Sequence, residues 1–239
     1  MQLLVSVRDA VEARGAGAVG AHIIDAKEPA LGALAPVPPA TLAAIADALR
    51  PGARLSVALG EPADVEALAA SLAARAEVVR ARPVFLKFVP PTLDVGTLSA
   101  MVACARHAAP GAQVIVAGYA DRLAAAGLGR FAQAAAEAGA DGVLLDTAAK
   151  GVSLLVRLAV PALEGFVAAA HARGLLVALA GSLALEDLPR IAALGADVAG
   201  VRGAACDGDR AGRLSATRVR RLLQAARAAA LPVPVAPAS

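Results

Sequence analysis

The sequence predicts a single α/β domain of the (β/α)8, or TIM-barrel, class. Three observations carry this reading. Eight short apolar runs alternate with alanine-rich stretches of helix-forming composition. The runs are rich in Val, Leu and Ile, which suits parallel strands buried on both faces. The chain has 239 residues, enough for one barrel, and eight strands favour a closed barrel over an open doubly wound sheet.

In chain order the predicted strands are Leu3–Val7, His22–Ala26, Leu55–Leu59, Val84–Phe88, Val114–Ala117, Gly142–Leu145, Leu175–Leu179 and Val198–Val201. Between them lie helical segments such as Pro39–Leu49, Ala63–Arg75, Leu98–His107, Phe131–Ala138, Pro161–Arg173 and Ala216–Ala229. A Gly-Ala pair precedes a strand three times, at Gly20-Ala21, Gly139-Ala140 and Gly195-Ala196. Glycine just past a helix end takes the left-handed conformation at little cost and lets the chain turn into the next strand. This is the mark of a repeated helix–strand unit. No interior linker divides the chain. One barrel domain is expected over residues 1–230, followed by a proline-rich tail over 231–239.

Composition excludes several functions. Apolar residues make up 58% of the chain, but much of that is alanine. No helix-compatible charge-free run approaches the length of a membrane span, since the prolines within Pro29–Ile45 interrupt the one uncharged stretch. The N-terminus reaches Asp9 too early for a secretory signal. Cys104 and Cys206 form no disulfide framework. A cytoplasmic location and no membrane partner are therefore expected. The net charge is +3, the arginines are scattered, and aromatics are only 2% of residues. That composition offers no stacking platform for nucleic acid, so no nucleic-acid partner is expected. His22, His107 and His171 stand in no metal-ligand spacing and read as structural or surface residues; neither metal nor cofactor is expected.

The chemistry is expected at the C-terminal strand ends, where barrel enzymes build their sites. The chain has 23 Lys and Arg residues, yet lysine occurs only at Lys27, Lys87 and Lys150. Arginine stays protonated, whereas lysine can be desolvated to a nucleophilic amine. All three lysines fall at or near one rim. Asp25 and Lys27, two positions apart on a strand, project to the same face. Lys87 interrupts the apolar Val84–Phe88, and Asp146 precedes Lys150 by four residues. A free lysine has a pKa near 10.4, so well under about 1% is neutral at pH 7. Burial and neighbouring cations lower that value. A neutral lysine can form a Schiff base with a carbonyl, and a carboxylate or second amine can move the α-proton. The last two strands end in Gly181-Ser182 and Arg202-Gly203-Ala204, where small residues expose backbone N–H groups to a phosphate. Tyr119, the one tyrosine, sits at another strand end. It suits either rim packing or a proton-transfer or hydrogen-bonding role, and is a candidate substrate contact.

These motifs, in order along almost the whole chain, resemble one family. They are Leu3–Val7, Ile23–Leu34 with Asp25-Ala26-Lys27-Glu28-Pro29, Leu86-Lys87, Val116–Asp121, Leu145–Lys150, Leu179–Ser182 and Gly200–Cys206. The chain is similar to the (5-formylfuran-3-yl)methyl phosphate synthases of methanofuran biosynthesis, also called 4-(hydroxymethyl)-2-furancarboxaldehyde-phosphate (4-HFC-P) synthases. The resemblance implies a TIM-barrel lyase that condenses two molecules of glyceraldehyde 3-phosphate, one first isomerised to dihydroxyacetone phosphate, with loss of phosphate and water. It implies functional roles for Asp25, Lys27, Lys87, Asp146 and Lys150. Within that set Lys27 is expected to form the Schiff base, oriented by Asp25. Asp146 and Lys150 are expected to transfer protons, and Lys87 to serve as an alternative amine or a substrate-charge partner. The loop at Asp207–Arg210 is shorter than the family pattern, and Gly151-Val152-Ser153 replaces a more polar stretch. A homo-oligomer packed through the outer helices is expected. Two other readings fit the same residues: a different sugar-phosphate aldolase or isomerase, and a catalytically silent barrel that binds a phosphorylated metabolite.

Overall fold

The computed structural model describes residues 1–82 and 84–228. Among the described residues, eight parallel strands form one closed barrel in sequence order. They are β1 (Gln2–Val7), β2 (Ile23–Ala26), β3 (Arg54–Ala58), β4 (Val84–Phe88), β5 (Gln113–Tyr119), β6 (Gly142–Asp146), β7 (Leu176–Leu179) and β8 (Val198–Val201). Strand β1 pairs with β8 through Val5 and Val201, which closes the sheet. The helices lie outside it: α1 (Ala10–Ala18), α2 (Pro39–Asp47), α3 (Val65–Ala73), α4 (Ala76–Ala81), α5 (Val95–Ala108), α6 (Ala120–Glu137), α7 (Leu154–Arg157), α8 (Val160–His171), α9 (Leu188–Ala193) and α10 (Ala216–Ala228).

The predicted strands all form, shifted by a residue or two at their ends. The main difference is that β5 and β6 run on to Tyr119 and Asp146. Gly20, Gly139 and Gly195 have φ of 89°, 78° and 84°, the left-handed conformation that the repeated helix–strand joint requires. Asp9, Asp64 and Asp94 cap α1, α3 and α5 by accepting the N–H groups of Glu12, Ala67 and Thr97. Helices α1, α4, α7 and α9 were not among the segments read from sequence. Gly15 and Gly17 dilute the helical signal of α1, and burial of Ala13 and Ala16 against the barrel compensates. Helix α6 begins eleven residues before the predicted Phe131 and is broken at Ala124, where φ is 54°. The predicted tail at 231–239 lies outside the described residues.

Strand alternation sorts the core into two layers. One set of side chains, with Leu3, Val5, Ile24, Leu55, Val116 and Leu145, packs between sheet and helices. The alternate set, with Leu4, Ile23, Phe85, Ile115, Leu144, Ala178 and Val198, fills the barrel. Two residues further along four of those strands, the inward positions become Ser6, Asp25, Lys87 and Asp146, all buried. The barrel is therefore apolar at its base and charged at its C-terminal end.

A buried ion pair ties the first helix to the last strand. Arg202, just past β8, bonds Glu12 of α1 through both terminal nitrogens, and both side chains are buried. Removing one partner of such a pair strands the other charge. Glu12→Ala should therefore lower stability by about 3–5 kcal/mol, read as a shift in the urea unfolding midpoint. Glu12→Gln, which keeps a carbonyl acceptor for Arg202, should lose less.

Candidate active site

The fold brings all three lysines to the C-terminal mouth of the barrel. Lys87 on β4 points inward, and its Nζ lies 2.7 Å from Asp25 Oδ1. The other carboxylate oxygen of Asp25 accepts the Ser6 hydroxyl at 2.9 Å. Lys150, in the loop after β6, donates to Asp146 Oδ1 at 2.8 Å and to the carbonyl of Thr147. Lys27 sits one residue past β2, its backbone N–H donating to Val7 O at 3.1 Å. Among the described residues, no carboxylate lies within 4.0 Å of the Lys27 ammonium nitrogen. Asp25 was expected to orient Lys27. The two do share a face, but the carboxylate pairs directly with Lys87, because β4 carries that lysine inward at the same level.

Electrostatics separate the lysines further. Lys27 is 8% exposed. Burial, aided by the Lys87 and Lys150 cations and opposed by Asp146 and Asp25, pushes its pKa down to about 8. At pH 7 roughly one Lys27 in ten is then the free amine, against well under 1% for an ordinary lysine. Burial pushes the Asp25 carboxyl up, but Lys87 and Lys27 outweigh it and hold the pKa below the usual carboxylate value.

Two cavities meet at Lys27. The outer one, about 320 Å³, is bordered by Lys27, Asp146, Lys150 and the loops after β7 and β8. The inner one, about 20 Å³, lies among Ser6, Asp25, Lys27, Lys87 and Asp146. Lys27 and Asp146 border both, so the lysine stands between a substrate-sized space and the charged interior layer. Gly200, also on both, provides room because it lacks a side chain: an added Cβ would come within 3.0 Å of Ala180.

Gly181, Ser182, Gly203 and Ala204, predicted as phosphate-binding, all border the outer cavity. Gly181 has φ of 113°, and a Cβ there would meet Thr147 at 2.8 Å, so only glycine fits. The Ser182 hydroxyl oxygen accepts the Gly151 N–H at 3.1 Å, which leaves its own hydrogen able to donate. Two expectations change. Arg202 borders the cavity, but Arg210 O, Ser6 O, Glu12 and Gly212 O engage all five of its N–H donors. Its guanidinium is therefore structural and not an anion ligand. Tyr119 borders neither cavity beside Lys27. Its hydroxyl donates to Glu61 at 3.0 Å, beneath the Arg122 guanidinium, in a separate cavity of about 380 Å³. Burial and the Glu61 carboxylate push its pKa above the usual phenol value. Asp209 and Arg210 also border the Lys27 cavity, and the sequence reading did not assign them a role. His22 accepts the Leu3 N–H, and the exposed His171 meets Asp197 at 3.0 Å. Among the described residues no group of three or more His, Cys, Asp or Glu could hold a metal ion, and no helix is long and apolar enough to cross a membrane.

Residues 3–223 match the family model of 4-HFC-P synthase. The chain belongs to the 4-HFC-P synthase family. Its relatives include (5-formylfuran-3-yl)methyl phosphate synthases of Methanococcus maripaludis, 34% identical over 95% of this chain and 100% of the relative, and of Methanopyrus kandleri, 35% identical over 94% and 98%. Among solved structures, 3-hexulose-6-phosphate synthase from Salmonella typhimurium shares the fold, with a TM-score of 0.66 and 20% identity over 95% of this chain and 100% of that one. In this 4-HFC-P synthase family member, Asp25, Lys27, Lys87 and Asp146 form a buried cluster joined by the partly exposed Lys150. The Lys27 titration is directly measurable. Its rate of trinitrobenzenesulfonate modification, followed by peptide mass spectrometry, should rise with a midpoint near pH 8. Lys87→Met, removing a neighbouring cation, should move the midpoint up, and Asp146→Asn, removing an anion, should move it down.

Proposed function

We propose that this protein is a carbon–oxygen lyase that condenses two molecules of glyceraldehyde 3-phosphate, one of them as dihydroxyacetone phosphate, to (5-formylfuran-3-yl)methyl phosphate in methanofuran biosynthesis. The chemistry runs through an imine on Lys27. The observation that carries this reading is the isolation of Lys27. Lys87 and Lys150 are each held by a carboxylate at hydrogen-bond distance, whereas Lys27 is buried without one and borders the substrate-sized cavity. The name of its relatives, which cover the chain almost end to end, supports the product assignment.

The steps follow from the groups present. The neutral Lys27 amine adds to the ketone of dihydroxyacetone phosphate and water leaves, forming an imine. Protonated, the imine draws electrons from the adjacent carbon. Asp146, which borders the cavity beside Lys27, accepts the α-proton and delivers it to an oxygen leaving as water, while the Lys150 ammonium holds the carboxylate in place. The resulting enamine attacks the aldehyde of the second triose phosphate. Ring closure and loss of phosphate and water give the furan, with hydrolysis of the imine regenerating Lys27. The Asp25–Lys87 pair supplies a fixed charge environment below the imine, with Ser6 holding the carboxylate.

Borohydride reduction in the presence of glyceraldehyde 3-phosphate should leave a triose-phosphate adduct on the Lys27 peptide. An adduct on Lys87 or Lys150 instead would remove Lys27 from the nucleophile role. Turnover to a furan absorbance without any adduct would exclude the imine. Asp146→Asn should lower kcat by about 10²-fold or more.

A further inference from the structure

We propose that Arg210 is the side chain that binds the phosphate of the substrate, on a loop held in place by the buried Arg202–Glu12 pair. The inference rests on the triose-phosphate reading above and adds the residue that recognises the charged end of the molecule.

Four cationic residues border the outer cavity: Lys27, Lys150, Arg202 and Arg210. Three are committed elsewhere. Lys150 is engaged by Asp146 and Thr147. Arg202 has every N–H donor satisfied by protein. Lys27 is needed as a neutral amine, and an amine cannot both carry the phosphate's counter-charge and attack a carbonyl. Arg210 is different. Its Nη2 donates to Gly32 O at 3.0 Å, and among the described residues that is its one side-chain bond, with no carboxylate within 4.0 Å. One N–H of five is occupied, so a planar fork of donors is left for an anion.

The cavity also holds two carboxylates. Asp146 is paired with Lys150. Asp209 turns Oδ1 onto the N–H groups of Ala211 and Gly212, at 2.8 and 3.2 Å, which shapes the loop that bears Arg210.

The backbone of that loop is pinned at three successive carbonyls. Arg202 Nε donates to Arg210 O at 2.9 Å, Arg8 Nη1 to Ala211 O at 2.8 Å, and Arg202 Nη2 to Gly212 O at 3.0 Å. Arg202 is itself locked by Glu12. The arginine expected from sequence to bind phosphate thus acts as a positioning residue for a second arginine eight residues later. The bond from Arg210 to Gly32 reaches the loop that follows Lys27, so the proposed phosphate ligand and the nucleophile are set relative to one another before substrate arrives. Gly181-Ser182 and Gly203-Ala204 complete the cradle. A bidentate arginine contact suits a phosphate better than a single ammonium does.

The test compares wild type, Arg210→Gln and Arg210→Lys. Inorganic phosphate is titrated calorimetrically, and KM is measured for glyceraldehyde 3-phosphate. Arg210→Gln should weaken phosphate binding and raise KM by about tenfold or more, with Arg210→Lys between it and wild type. Borohydride trapping of phosphate-free D-glyceraldehyde on Lys27 should suffer a several-fold smaller loss. An unchanged phosphate affinity in Arg210→Gln overturns the proposal. So does an equal loss with and without the substrate phosphate, since Arg210 would then serve loop shape alone. If wild type binds inorganic phosphate in an Arg210-dependent way but does not turn over glyceraldehyde 3-phosphate, the phosphate ligand stands and the reaction assigned above does not.

Discussion

The structure depends on a layer of buried charge laid across an apolar barrel. Taking an ion out of water costs several kcal/mol unless a partner and hydrogen bonds compensate. Two of the three lysines meet that condition, Lys87 through Asp25 and Lys150 through Asp146. Each pair is close to neutral as a unit. Lys27 is left buried between them with no carboxylate at bonding distance, and that burial pushes its pKa down to about 8.

The paired carboxylates also set a limit. Asp146 and Asp25 oppose the loss of the Lys27 proton, while burial drives it. The outcome near 8 leaves a lysine with both its amine and its ammonium form populated around neutral pH. Deeper burial or fewer acids would lower the value further. The strands fix the compromise, because β2, β4 and β6 turn Asp25, Lys87 and Asp146 onto the inner cavity that Lys27 also borders.

Away from the lysines, the loops after β6, β7 and β8 are joined by main-chain and side-chain bonds. Leu154 N–H reaches Gly181 O, Ser182 receives the Gly151 N–H, and Arg202 holds the loop around Ala211. Such bonds hold the small-residue turns around one space before ligand binding, which lowers the ordering cost of a charged substrate. The α1–β8 clasp thus holds a loop that borders the outer cavity although Glu12 borders neither cavity beside Lys27.

The sequence by itself determined the barrel, because parallel strands buried on both faces must be written as runs of Val, Leu and Ile, and the Gly-Ala joints carry a conformation that glycine alone takes easily. It also determined the candidate lysines, since Lys27, Lys87 and Lys150 stand out against twenty arginines. It could not show which acid meets which lysine. Asp25 lies two residues from Lys27 and sixty-two from Lys87, yet its partner is Lys87. Nor could it separate Arg202, engaged at every donor, from Arg210, engaged at one, or remove Tyr119 from the Lys27 cavity. Local sequence sets which face of a strand a side chain occupies. Tertiary structure alone decided the pairing, because buried charges choose partners by distance across the barrel and not by separation along the chain.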